Sequence, residues 1–182
     1  SHSNGSGNED WLNSHVDFKQ VFFAGDSAGA NIAHNMGIRI GNEKLEGLDV
    51  SGIVLIHPYF WGYQLIGNET EDVGSKSEKL WRFTCPTTTS CDDPLMNPFF
   101  DPNLGSLGCN KVLVCVAEKD SLSQRGKFYC DILVKSGWGG VAEMMEAKDE
   151  GHVFHLHNPT CENAVAMLKR LVFASHALNG YF

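Results

Sequence analysis

The stretch VFFAGDSAGANIAH, residues 21–34, decides the fold of this chain. It begins as an apolar run typical of a buried strand and resumes, after a pair of glycines, with a helix-like pattern. Between the two parts lies the sequence G-x-S-x-G at residues 25–29, with Ser27 at its centre. The flanking glycines permit a sharp turn that lifts the serine hydroxyl above the edge of a sheet. This junction predicts a nucleophile at Ser27, with the N–H of Ala28 directed at a developing oxyanion.

Four segments have the pattern of short buried strands, and helix-like segments alternate with them. The strands are predicted at residues 19–25, 51–60, 111–120 and 141–151. The first three carry apolar runs without alternation, which is typical of parallel strands covered on both faces. The helices are predicted at residues 28–40, ended by Gly41, at 121–135, ended by Gly137, and at 159–178. We therefore expect an α/β fold with a mostly parallel sheet flanked by helices.

One segment interrupts this alternation. Residues 61–98 combine Thr, Ser, Gly and Pro with Trp61 and Trp81, and the segment is too long for a simple connection. We expect a cap-like or lid-like insert that covers a site. The whole chain, residues 1–182, is then one partial domain that contains this insert.

The composition limits the class of protein. The 182 residues are 42% apolar and 20% charged, which is typical of one globular domain. A net charge of −8 without any run of Lys or Arg argues against nucleic acid or an anionic membrane as partner, and it favours a small neutral ligand. No apolar stretch approaches the length of a membrane span, and the first ten residues lack the pattern of a signal peptide.

The cysteines and the first residue carry two further expectations. Six cysteines without any C-x-x-C spacing predict free thiols and a reducing compartment, so we expect the cytoplasm. Only Cys85 and Cys91, in a loop-rich stretch, are placed to pair. The chain begins with Ser1 and reaches a core strand almost at once, so we expect a fragment of a longer protein.

A nucleophilic serine needs a base and an acid that orients the base. In folds that place G-x-S-x-G at such a junction, the acid and then the histidine follow later in the chain. Asp120 ends the third predicted strand and His152 follows the fourth, at the sheet edge where open α/β sheets place their sites. Glu118 and Asp149 are the alternatives for the acid. Without such partners, the serine motif would be only a turn that closes a strand.

The remaining candidates have weaker support. The sequence H-x-x-H-x-H of His152, His155 and His157 could ligate a metal, but no carboxylate or cysteine pattern completes the set, so no metal is expected. His34 is expected to be packed or on the surface instead of catalytic, and His57, at the end of the second strand, could touch the pocket but is expected to be a packed core histidine. The side chains that border the inferred site form the predicted substrate-binding set, although core packing explains the aromatic ones equally well. This set comprises Asp26, Tyr59, Phe60, Trp61 and Phe154.

Four motifs in this order resemble the plant carboxylesterase branch of the hormone-sensitive-lipase-like α/β-hydrolases. They are G-D-S-A-G-A-N-I-A-H, D-D-P-L-M-N-P-F, A-E-K-D and D-E-G-H-V-F-H, and together they cover nearly the whole chain. The resemblance implies Ser27 as nucleophile, His152 as base, Asp120 as acid and Ala28 as one oxyanion donor. It implies a serine carboxylic-ester hydrolase that forms an acyl-enzyme, acts on small acyl esters of plant metabolites and needs no cofactor.

The resemblance also implies that part of the fold is missing. The other oxyanion donors of these hydrolases come from an H-G-G-G motif upstream of the nucleophile, and this sequence has no such motif. Residues 137–140 cannot replace it, because they precede the fourth strand instead of an early one. We therefore expect the C-terminal half of the α/β-hydrolase fold, from the nucleophile strand onward, and weak or no activity of the chain alone.

Two alternatives from other functional classes remain. Gibberellin receptors resemble this branch and bind a hormone without hydrolysis, but the catalytic histidine is replaced in them, whereas His152 is present here. A lyase similar to 2-hydroxyisoflavanone dehydratase would use the same pocket for elimination, and the triad residues do not exclude it. The sequence does not predict an oligomeric state.

Overall fold

A four-stranded parallel sheet forms the centre of the part of the chain that the structure describes. The structure is a computed structural model that describes residues 7–176, the last four as backbone only. The strands are β1 (Val21–Asp26), β2 (Val50–Ile56), β3 (Lys111–Ala117) and β4 (Val141–Ala147). Their order in the sheet is the order in the chain, and every neighbouring pair is parallel. The predicted α/β architecture is confirmed, and β1 and β4 are the two edges of the described sheet.

In the described part of the chain, six α-helices connect and cover the strands. They are α1 (Asp10–His15), α2 (Ala28–Glu43), α3 (Glu71–Thr84), α4 (Ser123–Lys135), α5 (Phe154–His157) and α6 (Glu162–His176). Two short 3₁₀ helices, Pro98–Phe100 and Leu104–Ser106, lie before β3. The predicted end of the last helix at residue 178 lies outside the described residues. The strand and helix positions otherwise agree with the sequence pattern to within a few residues at the boundaries.

The end of α2 corrects one prediction. The helix does not stop at Gly41 but continues to Glu43, and Lys44 ends it in a left-handed conformation with φ of 46°. Gly41 lies where it does because a side chain there would collide with the backbone oxygen of Ser106. Gly137, in contrast, follows α4 with φ of 86°, so the predicted glycine stop is correct there.

The core has two layers, one on each face of the sheet. Alternate side chains of a strand point to opposite faces, so Leu55 and Val114 pack toward one cluster and Ile56 and Cys115 toward the other. The first cluster lies against α2 and α4, and the second lies against α5 and α6. This two-sided burial is the reason why β2 is apolar without interruption from Ile53 to Ile56 and β3 from Val112 to Ala117.

The 61–98 insert contains α3 and packs around a small core to which Tyr59 and Leu122 also contribute. This core consists of the side chains of Tyr59, Trp61, Trp81, Cys91, Met96 and Leu122. A buried ion pair, here called the insert anchor, joins the insert to α4: Arg125 Nε lies 2.6 Å from Glu69 Oε1. The Arg125 guanidinium also lies 4.9 Å from the centre of the Trp61 ring. The role of the insert as a cap remains a prediction.

Two observations concern the compartment and the membrane. All six cysteines are free, so Cys85 and Cys91 do not pair, and Cys85 Sγ lies 3.8 Å from Thr87 Oγ1. Among the described helices, none combines the length and the apolar character that crossing a bilayer requires.

Candidate active site

Ser27 lies in a strained turn between β1 and α2. Its φ of 52° and ψ of −114° fall in a region that residues other than glycine rarely adopt. Three backbone hydrogen bonds hold it there: its N–H donates to Ile56 O at 2.9 Å, and its carbonyl accepts from Tyr59 N at 3.0 Å and Asn31 N at 3.2 Å. The end of β2 therefore fixes the turn that presents the hydroxyl.

The glycines of the motif have different tasks. A side chain at Gly25 would overlap the backbone of Gly29, so the close approach of strand and helix requires glycine at position 25. A Cβ at Gly29 would meet only Asp26 Oδ1, at an ordinary 3.9 Å. Ala28 is exposed and opens α2, where the first amide groups have no acceptor within the helix. Its N–H can therefore serve an external negative oxygen.

Asp120 lies in the loop after β3 and is deeply buried. Its side chain is 1% exposed, and both carboxylate oxygens have partners. Oδ1 accepts from the N–H of Leu122 at 3.0 Å, and Oδ2 lies 2.7 Å from His152 Nδ1. Because an ionised carboxylate only accepts, the shared proton resides on Nδ1 of His152.

His152 joins this carboxylate to the serine. Its Nε2 lies 2.9 Å from Ser27 Oγ, and in the tautomer set by Asp120 it accepts the hydroxyl proton. Backbone bonds between the two loops maintain this alignment: Lys119 N donates to Glu150 O at 2.8 Å, and Glu118 N donates to Ala147 O at 3.0 Å. The structure thus brings together the three residues that the chain order predicts, in one continuous chain of hydrogen bonds.

The alternative acids contact other groups. Glu118 Oε2 accepts from the N–H of Asp149 at 2.8 Å, and the Asp149 carboxylate lies 2.9 Å from Lys119 Nζ in an exposed ion pair. Of the carboxylates considered from sequence, Asp120 is the one that contacts His152.

The other histidines differ in their surroundings. His34 is fully buried with its Nδ1 3.0 Å from the Tyr129 hydroxyl, and burial lowers the pKa of its imidazole to about 3. His57 is 1% exposed, and burial is the main reason why its pKa falls to about 4. Burial also lowers the pKa of His155. His34 and His57 are thus packed, as expected, and neutral at pH 7.

One cluster of possible metal ligands differs from the one considered from sequence. Donor atoms of His57, Asp120 and His152 lie within 4.8 Å of one another. The H-x-x-H-x-H set therefore contributes only His152 to this group. Sequence reasoning undervalued His57, although its position at the carboxyl end of β2, beside the end of the nucleophile strand, was a usable signal.

The predicted substrate-binding aromatics are buried and belong to different clusters. Tyr59, Phe60, Trp61 and Phe154 are between 1% and 9% exposed. Tyr59 and Trp61 lie in the core of the insert, whereas Phe60 and Phe154 lie on opposite faces of the sheet. Asp26 is half-buried beside Ser27. The role of these residues in substrate binding remains a prediction.

The chain is similar to hydrolases by family, sequence and structure. Residues 3–156 match a family model described as the alpha/beta hydrolase fold. The chain is 47% identical over 168 residues to a protein of Arabidopsis thaliana named probable carboxylesterase 2, covering 90% of this chain and 53% of that relative. It is 42% identical over 176 residues to the chloroplastic tuliposide A-converting enzyme 2 of Tulipa gesneriana, covering 94% and 45%. The chain thus spans about half the length of these relatives.

A solved structure agrees with this likeness. A hyperthermophilic esterase from the archaeon Pyrobaculum calidifontis superposes with a TM-score of 0.70 at 25% identity. The superposition covers 96% of this chain and 57% of that esterase.

Proposed function

Because the chain belongs to the alpha/beta hydrolase fold family, we propose that it carries the catalytic triad of a serine carboxylic-ester hydrolase. Ser27 is the nucleophile, His152 the general base and Asp120 the acid that orients it. The observation that carries the proposal is the hydrogen-bond chain of 2.9 Å from Ser27 Oγ to His152 Nε2 and 2.7 Å from His152 Nδ1 to Asp120. Both distances are typical of a serine paired with its base and of a base paired with its acid.

The reaction follows from these contacts. His152 Nε2 takes the proton of Ser27 as the hydroxyl oxygen attacks the ester carbonyl carbon, and the N–H of Ala28 stabilises the negative oxygen of the tetrahedral intermediate. His152 then gives the proton to the departing alcohol, and an acyl group remains on Ser27. A water molecule repeats the sequence and releases the acid. Asp120 keeps His152 in the required tautomer and stabilises the imidazolium.

Substrate and compartment are the finer parts of the proposal. The Arabidopsis relative named a probable carboxylesterase supports small acyl esters as substrates, and the origin of the relatives in Arabidopsis and tulip supports plant metabolites as their source. The six free cysteines support a reducing compartment, for which we propose the cytoplasm.

Replacement of the nucleophile tests the proposal. In the protein expressed from its complete coding sequence, Ser27→Ala should lower kcat for p-nitrophenyl butyrate by about 10⁶, since triad members act as a unit. Ser75→Ala, at an exposed position in α3, is the matched control and should retain wild-type turnover. A fluorophosphonate should label Ser27 and no other serine.

Three results would contradict the proposal. One is an adduct mapped to another serine, and a second is retention of more than a few per cent of turnover in Ser27→Ala. The third is elimination from a 2-hydroxyisoflavanone without any hydrolysis of a panel of acyl esters, which would replace the hydrolase by a lyase.

A further inference from the structure

We propose that His57 is a positioning residue for His152, which it aligns by accepting the N–H of Val153. The inference rests on the proposed function and adds a fourth residue to the machinery that acts on Ser27. Two observations support it. The His57 ring packs against the ring of His152, and its Nδ1 accepts a hydrogen bond from the backbone N–H of Val153.

A backbone hydrogen bond to the sheet fixes the position of His57. It follows β2 directly, with φ of 47°, and its backbone N–H donates to Cys115 O at 2.8 Å. Its ring centre lies 5.7 Å from the ring of His152 and 5.6 Å from the rings of both Phe154 and His155. The buried imidazole therefore packs against His152 and against Phe154 and His155 at the start of α5.

One hydrogen bond joins the His57 ring to the backbone next to the base. The N–H of Val153 donates to His57 Nδ1 at 2.9 Å. This N–H belongs to the peptide group that directly follows His152, so the bond fixes the backbone from which the catalytic imidazole projects. Val153 has φ of 48° and ψ of 33°, a left-handed conformation that a β-branched residue adopts only when its surroundings impose it.

The chemistry of the ring suits this task. Because Nδ1 accepts from Val153, His57 carries its proton on Nε2, which is buried without a hydrogen-bond partner among the described residues. An imidazole in this state is neutral, so it does not repel the His152 imidazolium that forms during acyl transfer. A cationic His57 would repel it and would lose the acceptor that holds Val153. An apolar side chain would leave the part-buried Val153 N–H without its acceptor, and such a loss is costly.

Two substitutions of nearly equal shape separate the acceptor from the bulk of the side chain. In His57→Asn, the amide oxygen can occupy the position of Nδ1, and asparagine tolerates positive φ. His57→Leu has the same branching but no acceptor. His57→Gln is a second variant without an acceptor at that position, because its amide is one methylene further out. All three variants are to be compared in thermal unfolding, so that a loss of fold is recognised.

We expect kcat for p-nitrophenyl butyrate to fall by about 10²-fold in His57→Leu and His57→Gln, since a small misplacement of a catalytic group costs that much. His57→Asn should stay within about threefold of wild type, and KM should change little in any variant. The low-field proton NMR signal of the hydrogen bond from His152 Nδ1 to Asp120 should persist in His57→Asn and broaden or disappear in His57→Leu. A purely structural role of His57 would not separate Asn from Leu in this signal.

The experiment distinguishes failure of the inference from failure of the proposed function. If folded His57→Leu or His57→Gln matches His57→Asn in kcat and in the NMR signal, the positioning role is wrong while the esterase proposal stands. If wild-type protein neither hydrolyses esters nor reacts with a fluorophosphonate at Ser27, the proposed function is wrong. The NMR comparison of Asn with Leu still decides, in that case, whether His57 aligns His152.

Discussion

The proposed triad and the insert anchor are two buried polar clusters that differ in one respect. In the anchor, the side chains of Arg125 and Glu69 are 4% and 1% exposed. The pairing is bidentate: Arg125 Nε donates to Glu69 Oε1, and Arg125 Nη2 donates to Glu69 Oε2. Arg125 Nη2 also donates to the carbonyl oxygens of Gln64 at 2.6 Å and Gly62 at 3.3 Å. Both carboxylate oxygens of Glu69 thus accept from Arg125, and both side chains are almost wholly withdrawn from solvent.

The triad is buried at Asp120 and accessible to solvent at His152. Asp120 is 1% exposed and its two oxygens both accept hydrogen bonds, but the side chain of His152 is 37% exposed. Ser27 lies at this accessible end. The comparison teaches that a paired buried cluster fastens two parts of a chain, whereas a cluster with an accessible proton-accepting end can exchange a proton with a substrate. Substitutions should therefore affect activity in the triad and stability in the insert anchor.

The largest difference is expected at Asp120. Asp120→Asn keeps the shape but offers no carboxylate to His152 Nδ1, so the base takes the wrong tautomer and kcat should fall by about 10⁴-fold. The midpoint of thermal unfolding should change far less than activity. Glu118→Gln, an exposed carboxylate in the same loop, is the matched control and should retain activity. The reverse result would transfer the role of the acid from Asp120 to Glu118.

The anchor should show the opposite pattern. Arg125→Met leaves Glu69 buried without its partner, and the free energy of unfolding should fall by about 3–5 kcal/mol. Adding Glu69→Leu removes the uncompensated charge and should restore most of this loss. Denaturant unfolding measures both variants, and Arg82→Met, from an exposed pair with Glu78, should cost less than about 1 kcal/mol. A double variant no more stable than Arg125→Met would contradict this account.

Proteins of two chain lengths can test whether the oxyanion site beside the triad is complete. Ala28 provides one oxyanion donor, and the H-G-G-G donors implied by the resemblance are absent from the sequence. We expect the 182 residues alone to hydrolyse p-nitrophenyl butyrate about 10²–10³-fold more slowly than a form extended at the N-terminus to include that motif. We also expect aggregation of the shorter form, because β1 is an apolar edge among the described strands.

A short form that is monomeric, melts cooperatively and hydrolyses the ester within about tenfold of the long form would contradict this prediction.

Acid should reveal a smaller effect at a polar group outside both clusters, His34. Burial lowers the pKa of its imidazole to about 3, whereas an unfolded histidine titrates near 6.5. The unfolded state thus binds more protons between these values, so the free energy of unfolding falls as the pH is lowered below 6.5 and recovers above it. By pH 4, the loss from this residue should reach about 3 kcal/mol.

Unfolding curves from pH 7 to pH 4 check this expectation. His34→Gln should flatten the pH dependence, whereas His15→Gln, at an exposed position, should not. An unchanged pH dependence in His34→Gln would mean that other groups dominate acid unfolding.

The sheet and the grouping of the triad residues were predictable from sequence for a physical reason. Parallel strands end at one edge, so residues that follow β1, β3 and β4 converge whatever the details of the loops. The anchor was not predictable, because Glu69 and Arg125 are 56 positions apart and neither belongs to a local pattern. Gly41 was misjudged because its glycine serves a contact with Ser106 and not a helix end. The task of His57 depends on a single backbone N–H of Val153, which no side-chain pattern reveals.

The left-handed backbone at Ser27, His57 and Val153 has a consequence for engineering the protein to tolerate heat. Each such residue stores about 1–3 kcal/mol of conformational strain, and Val153 is the extreme case because its side chain is β-branched. A directed-evolution campaign that scores only survival on heating should therefore select Val153→Gly, which removes this strain. The same replacement lets the peptide group after His152 adopt other conformations, which should misplace the imidazole and lower turnover. Heat tolerance and turnover should then change in opposite directions, so a useful screen has to measure both.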